Sequence, residues 1–189
     1  MLLVLGLLLG GCALARPTGP APATRAAVTE AEEALGRRDH LAARAAYDHA
    51  VATAPDRASE VFARRERASA LLLWDQRADA DADLERVTQL APDDAGGWHD
   101  LGIVRHARGD LDGARVALEH ARALQPRDPR PRLALAALAW SRGDRVAAAA
   151  EYRALAQLEL PDRLRAKVEW ALAELARPSP STPSAPTAP

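Results

Sequence analysis

The sequence predicts an all-α fold of stacked helical repeats, a right-handed α-solenoid closed by a C-terminal capping helix. Three observations lead there. Alanine and leucine dominate a 189-residue chain that is 48% apolar and only 4% aromatic. This composition favours helices, because Ala and Leu lose little freedom in them while strands prefer branched and aromatic residues. The tripeptide Arg108-Gly109-Asp110 returns 34 residues later as Arg142-Gly143-Asp144. The same spacing relates Pro92 to Pro126, Ala80 to Ala114 and Ala148, and Leu84 to Leu118 and Tyr152. A fixed period of this length marks a helix-turn-helix unit that buries its apolar face against copies of itself.

The chain opens MLLVLGLLLGGCALA. Its apolar run is too short to span a bilayer as a helix, which takes ~20 residues, and has the length of a signal-peptide core. Leu9-Gly10-Gly11-Cys12 resembles the bacterial lipobox, in which the chain is cut before a cysteine that carries diacylglycerol. The resemblance implies a signal peptide over residues 1–11 and a lipid on Cys12. Ala13, which is not Asp, implies sorting to the outer membrane, so the expected location is the bacterial cell envelope, facing the periplasm. Two other readings fit the same residues: an ordinary signal cut after Ala13 or Ala15, and a buried apolar start with a free thiol. As the only cysteine, Cys12 forms no internal disulfide. Residues 12–25 follow as a linker; the stretch ARPTGPAPATR, rich in proline, should be extended and mobile.

The repeats occupy residues 26–176, as units at about 24–57, 61–94, 95–128 and 129–162. In the clearest unit Trp98, Leu101, Gly102, Gly109, Ala114, Leu118, Ala121 and Pro126 all fall in register. This pattern resembles the tetratricopeptide (TPR) repeat; Arg105 departs from it, where that family usually has tyrosine. Ala68, Ala80, Leu84 and Pro92 keep register in the second unit, and Ala136, Gly143, Ala148 and Tyr152 in the fourth. The fourth unit's proline, Pro161, slips by one. The first unit keeps Ala31, Ala43, Tyr47, Ala50 and Pro55, and Ala58-Ser59-Glu60 separate it from the second. Gly102, Ala68 and Ala136 are expected where two helices of a unit cross, facing Ala80, Ala114 and Ala148. Leu101, Leu118 and Leu135 are expected to fill gaps between units. Gly109 and Gly143 suit a left-handed residue after the first helix, and Asp39, Asp110 and Asp144 suit the N-cap of the second. The second unit has Asp75-Gln76 there and needs another turn. Two copies of Arg-Gly-Asp are thus turn punctuation, not an adhesion motif.

Residues 161–176 form a further amphipathic helix, with Leu164, Val168, Leu172 and Leu175 at helical spacing, and cap the array. Residues 177–189, RPSPSTPSAPTAP, have no apolar run and are expected to be a disordered Pro/Ser/Thr tail.

A net charge of -1 gives no global basic field to draw the chain to nucleic acid. No glycine-rich phosphate loop or nucleophile elbow is present, so neither an enzymatic role nor a cofactor is expected. His99 and His106, seven apart on one helix, are the residues a metal-dependent enzyme would use. Asp79, Asp81 and Asp83 alternate within a helix, where they diverge by ~200° and cannot surround one ion; they suit a solvated face. Function therefore rests on surface. In TPR arrays the first helix of each unit lines a concave groove. The resemblance places there Phe62, Arg65, Ser69 and Leu72, then His99, Ile103 and His106, then Arg130, Leu133, Ala137 and Trp140. The Lys/Asn pair that clamps a peptide carboxylate in chaperone-type arrays is replaced by Arg65/Ser69, His99/Ile103 and Leu133/Ala137. Trp140 and Arg65 are the strongest binding residues by type. The expected function is a membrane-anchored scaffold that holds a protein or peptide in its groove. It resembles in architecture the TPR lipoproteins of pilus secretins, outer-membrane assembly or cell-wall hydrolase docking. A self-associating structural envelope protein and a metal enzyme are the alternatives.

Overall fold

The computed structural model describes residues 19–177. Cys12, the signal segment, the start of the linker and residues 178–189 lie outside the described residues. Within them the chain forms nine helices and an α-solenoid. They are α1 (Pro22–Gly36), α2 (His40–Ala52), α3 (Arg57–Leu73), α4 (Arg77–Leu90), α5 (Ala95–Arg108), α6 (Leu111–Leu124), α7 (Pro129–Ser141), α8 (Arg145–Leu155) and α9 (Asp162–Ala176). Each odd-numbered helix from α1 to α7 packs most heavily on the helix that follows it, and each pair then packs on the next.

The turns follow from a few residues. Gly109 and Gly143 adopt φ of 83° and 74°, the left-handed region that ends a helix. The next residue then caps the following helix. Asp110 accepts from the Gly113 amide at 2.9 Å, and Asp144 accepts from the Ala147 amide at 2.9 Å. Asp39 accepts from the Ala42 amide at 3.0 Å in the first unit. There, Arg38 stands where the later turns have glycine, and it takes φ of 62° itself. Asp75 does the same in the second unit, at 60°, and Gln76 makes no side-chain cap. The chain thus forces two ordinary residues into a conformation that costs ~1 kcal/mol or more.

Two boundaries differ from the sequence reading. Pro22 begins α1, so Pro22–Arg25 of the expected linker are helical. Proline suits the first turn, where its missing N–H would go unpaired anyway. Ala58-Ser59-Glu60 form no separator, because they are the first turn of α3, which runs 17 residues against 14 for α5. The extra turn has a use. Ser59 is fully buried, and its hydroxyl accepts from the Ala21 amide at 2.8 Å, tying the start of α1 to α3.

Gly102 does sit at a helix crossing. A Cβ there would lie 2.6 Å from Leu118 Cγ and 3.2 Å from the Ala114 carbonyl oxygen. Leu118 therefore fills the crossing within its own unit as well as the core. Ala68, Leu71, Ala80, Leu84, Leu101 and Val104 form a continuous cluster between the second and third units. Leu155, Leu160 and Val168 form another, which seats α9 on the last unit.

Asp79, Asp81 and Asp83 are not a solvated face. Only Asp79 is exposed. Asp83 is 4% exposed and accepts from Arg64 at 2.8 Å and from Arg67 at 2.7 and 2.6 Å, both on α3. Asp81 turns the other way, to Arg105 and Arg108 on α5. The ~200° divergence that rules out a shared ion instead lets one helix hold both of its neighbours. Arg105, the residue that departs from the repeat pattern, is thus the partner of Asp81 and Glu85.

Arg64, Trp98 and Arg132 take the fourth position of successive units, and Asp83, Ala117 and Glu151 the twenty-third. Units two and four join these positions by ion pairs, Arg64–Asp83 and Arg132–Glu151. Unit three uses a tryptophan beside an alanine, both at the core cluster. One structural gap is filled in two chemically different ways.

Candidate functional site

The first helices of the units line one face of the array; α1 touches α3 directly, and α5 touches α7. Between α3 and α5 this face opens into a cavity of about 190 Å³. Its lining includes Arg65, Ser69, Leu72, His99 and Ile103. Five of the groove residues expected from sequence therefore meet at one place. Leu72 and Ile103 form the apolar wall, and Ile103 is 39% exposed.

The charges there are already committed. Arg65 donates to Asp100 at 2.7 Å and to Asp94 at 3.4 Å. His99 Nδ1 lies 3.2 Å from the other Asp100 oxygen. Burial alone would raise the Asp100 pKa, but the bonds to His99 and then Arg65 outweigh it and hold the carboxyl below its usual range. Arg65 is thus a braced wall of the site and not a free cation. Beside it, Glu66 is pushed up by burial, and next by the Glu32 and Asp100 carboxylates. Tyr47 is pushed up to about 12, by burial first and then by Glu32 and Glu66.

The other expected groove residues are placed elsewhere. Phe62 packs against the cluster of the first unit, with Val28 and Tyr47. Arg130 is exposed and paired with Asp128 at 2.7 Å. Leu133 packs against the cap cluster of Leu155, Leu160 and Val168. His106 and Ala137 are exposed. His106 does not line the cavity that holds His99. Among the described residues no group of three or more His, Cys, Asp or Glu side chains could hold a metal ion. Trp140 is half-buried: Tyr152 meets it edge-on, and Trp170 of α9 lies nearly parallel to it, with centroids 6.3 Å apart in both pairs.

Asp94, Asp100 and Trp170 were missed by the sequence reading. Asp100 adjoins His99 in sequence, but its bond to Arg65 spans 35 residues. Trp170 lies in the cap, 34 residues after Ala136, at a position where the repeats carry a small residue.

A larger cavity, about 440 Å³, lies between α6, α7 and α8. Ala139 on its floor occupies the position that Arg105 takes in the preceding unit. At that earlier junction the Arg105 side chain fills the gap by bonding Asp81 and Glu85. An alanine leaves the later gap open.

No protein-family model matches the sequence, and no curated protein does. Solved structures do. The type III secretion chaperone SycD of Yersinia enterocolitica, in complex with a peptide of the translocator YopD, matches at 18% identity and TM-score 0.56, covering 59% of this chain and 88% of SycD. TTC0263, a thermophilic TPR protein of Thermus thermophilus, matches at 20% identity and TM-score 0.57 over 80% of each chain. It is a TPR fold. The first TPR domain of Spaghetti (RPAP3), bound to the HSP90 peptide SRMEEVD, matches at 17% identity and TM-score 0.56, covering 64% of this chain and 93% of that one.

Proposed function

We propose that this TPR array is a membrane-anchored adaptor of the bacterial cell envelope that holds a segment of a partner protein between α3 and α5. The observation that carries this is the cavity on the inner face, walled by Leu72 and Ile103 and braced by the Arg65–Asp100 pair. Apolar walls supply affinity, and fixed polar groups supply orientation. That SycD and RPAP3 are each solved with a peptide supports a peptide as the ligand class. Arg65 is neutralised by Asp94 and Asp100, so a C-terminal carboxylate has no free cation to meet there. The segment is instead gripped through apolar side chains. The lipobox-like Leu9-Gly10-Gly11-Cys12 supports anchoring through lipid on Cys12, at the outer membrane and facing the periplasm. Acylation contributes ~0.8 kcal/mol per buried methylene. The role is non-enzymatic and belongs to the assembly of an envelope complex.

Photocrosslinking in cells tests this. A crosslinking residue at Ile103 is expected to capture a discrete protein. One at Val116, which is 54% exposed on α6, is the control and should capture none. Equal capture from both positions would contradict the groove.

A further inference from the structure

Trp170 is the one aromatic side chain left exposed among the described residues, at 65%. Its ring is 14° from parallel to Trp140, and neither indole belongs to the apolar cluster that seats α9. Trp170 thus presents an indole to solvent with the half-buried Trp140 lying beside it. The chain leaves α9 at the same end of the array. Arg145, five residues after Trp140, donates to the carbonyls of Glu174, Leu175 and Arg177 at 3.3, 2.8 and 2.7 Å. Trp170 lies seven residues before Arg177, about 10 Å along the helix axis. Arg177 has φ of -67° and ψ of 139°, the polyproline II conformation. Twelve residues follow, PSPSTPSAPTAP, with prolines at 180, 183, 186 and 189. A polyproline II ligand has three residues per turn, so prolines at this spacing would fall on one edge of it. Such edges dock on aromatic surfaces because the helix is already ordered before it binds.

The geometry points to a binding site for a polyproline II segment on the Trp140–Trp170 platform, occupied by residues 178–189 of the same chain. Reach is sufficient: twelve residues extend about 37 Å, several times the distance back to Trp170. Weak contacts suffice as well. A short tether supplies an effective concentration on the order of millimolar, so a segment that binds only at millimolar levels in trans is substantially docked in cis. The site stands on its own observations and does not depend on the α3–α5 groove.

Nuclear magnetic resonance of the four indole N–H groups tests it, in the full chain and in the chain ended at Arg177. The Trp140 and Trp170 signals, assigned with Trp140→Phe and Trp170→Phe, are expected to differ between the two chains. Those of Trp74 and Trp98 should not. A synthetic peptide of residues 178–189, added to the shortened chain, should move the same two signals. Changing Pro180, Pro183 and Pro186 to glycine keeps the length and should abolish the difference. Identical Trp140 and Trp170 signals in the two chains would overturn the proposal. So would a difference that grows with protein concentration, which would place the tail of a second copy on the platform, or one that survives the glycine changes.

Discussion

Asp83→Ala is expected to destabilise the array by about 3 kcal/mol, because it strands two largely buried guanidinium groups. Asp83 is buried on α4 and accepts three hydrogen bonds from Arg64 and Arg67 of α3. Without it, Arg67 keeps only Asp48 and Arg64 keeps only Glu60. The Arg67 and Arg64 side chains are 19% and 22% exposed, so water relieves part of the penalty and keeps the loss at the low end for a broken buried pair. Urea unfolding monitored by circular dichroism measures the loss. Asp79→Ala is the control: Asp79 is 59% exposed, with one 3.6 Å pair to Arg44, and its loss should cost less than about 0.5 kcal/mol. The third unit suggests a rescue. Arg64→Trp combined with Asp83→Ala installs the Trp98–Ala117 solution in the second unit. The double variant should be more stable than Asp83→Ala alone, because one stranded cation is gone and an indole fills its space.

The second large effect is at the crossing of α5 and α6. Leu118 is fully buried, and Leu118→Ala should cost about 3 kcal/mol for lost burial and the cavity left behind. Gly102→Ala overpacks the same spot, since the new Cβ meets Leu118 at 2.6 and 2.8 Å, and should cost about 2 kcal/mol. The two changes should not add. In the Leu118→Ala background the Gly102 methyl enters space that the leucine has vacated. A double-mutant cycle should therefore return a coupling of at least ~1 kcal/mol in favour of the pair. Simple additivity would mean that the two residues do not meet.

The turns and crossings were legible in the sequence because they depend on single residues whose backbone or size is restrictive. Gly109 and Gly143 supply a left-handed residue, Asp110 and Asp144 supply a cap, and Gly102 permits close approach. The period then places all of these at once. Arg38 and Asp75 were harder, because nothing in an arginine or aspartate signals a left-handed backbone; the surrounding helices impose it. The roles of charged residues were the least legible. Asp79, Asp81 and Asp83 look alike along the chain, and only the arginines of α3 and α5 distinguish them. Arg65 has the right type for a binding residue, yet its two carboxylates lie 29 and 35 residues away. The α3–α5 groove was legible by register as far as Leu72, His99 and Ile103. Leu133 and Trp140 lie away from that cavity, Leu133 against the cap cluster and Trp140 beside Trp170 of α9.

The central claim is that the apolar wall between α3 and α5 grips a partner segment. The direct measurement is the affinity of the protein captured from Ile103 for the purified array, before and after Ile103→Asp. Ile103 is exposed and belongs to no core cluster, so the melting temperature should hold. A charge placed on the wall should weaken binding by roughly 30-fold, the scale of a 2 kcal/mol hot spot. Unchanged affinity with an intact fold would contradict the claim.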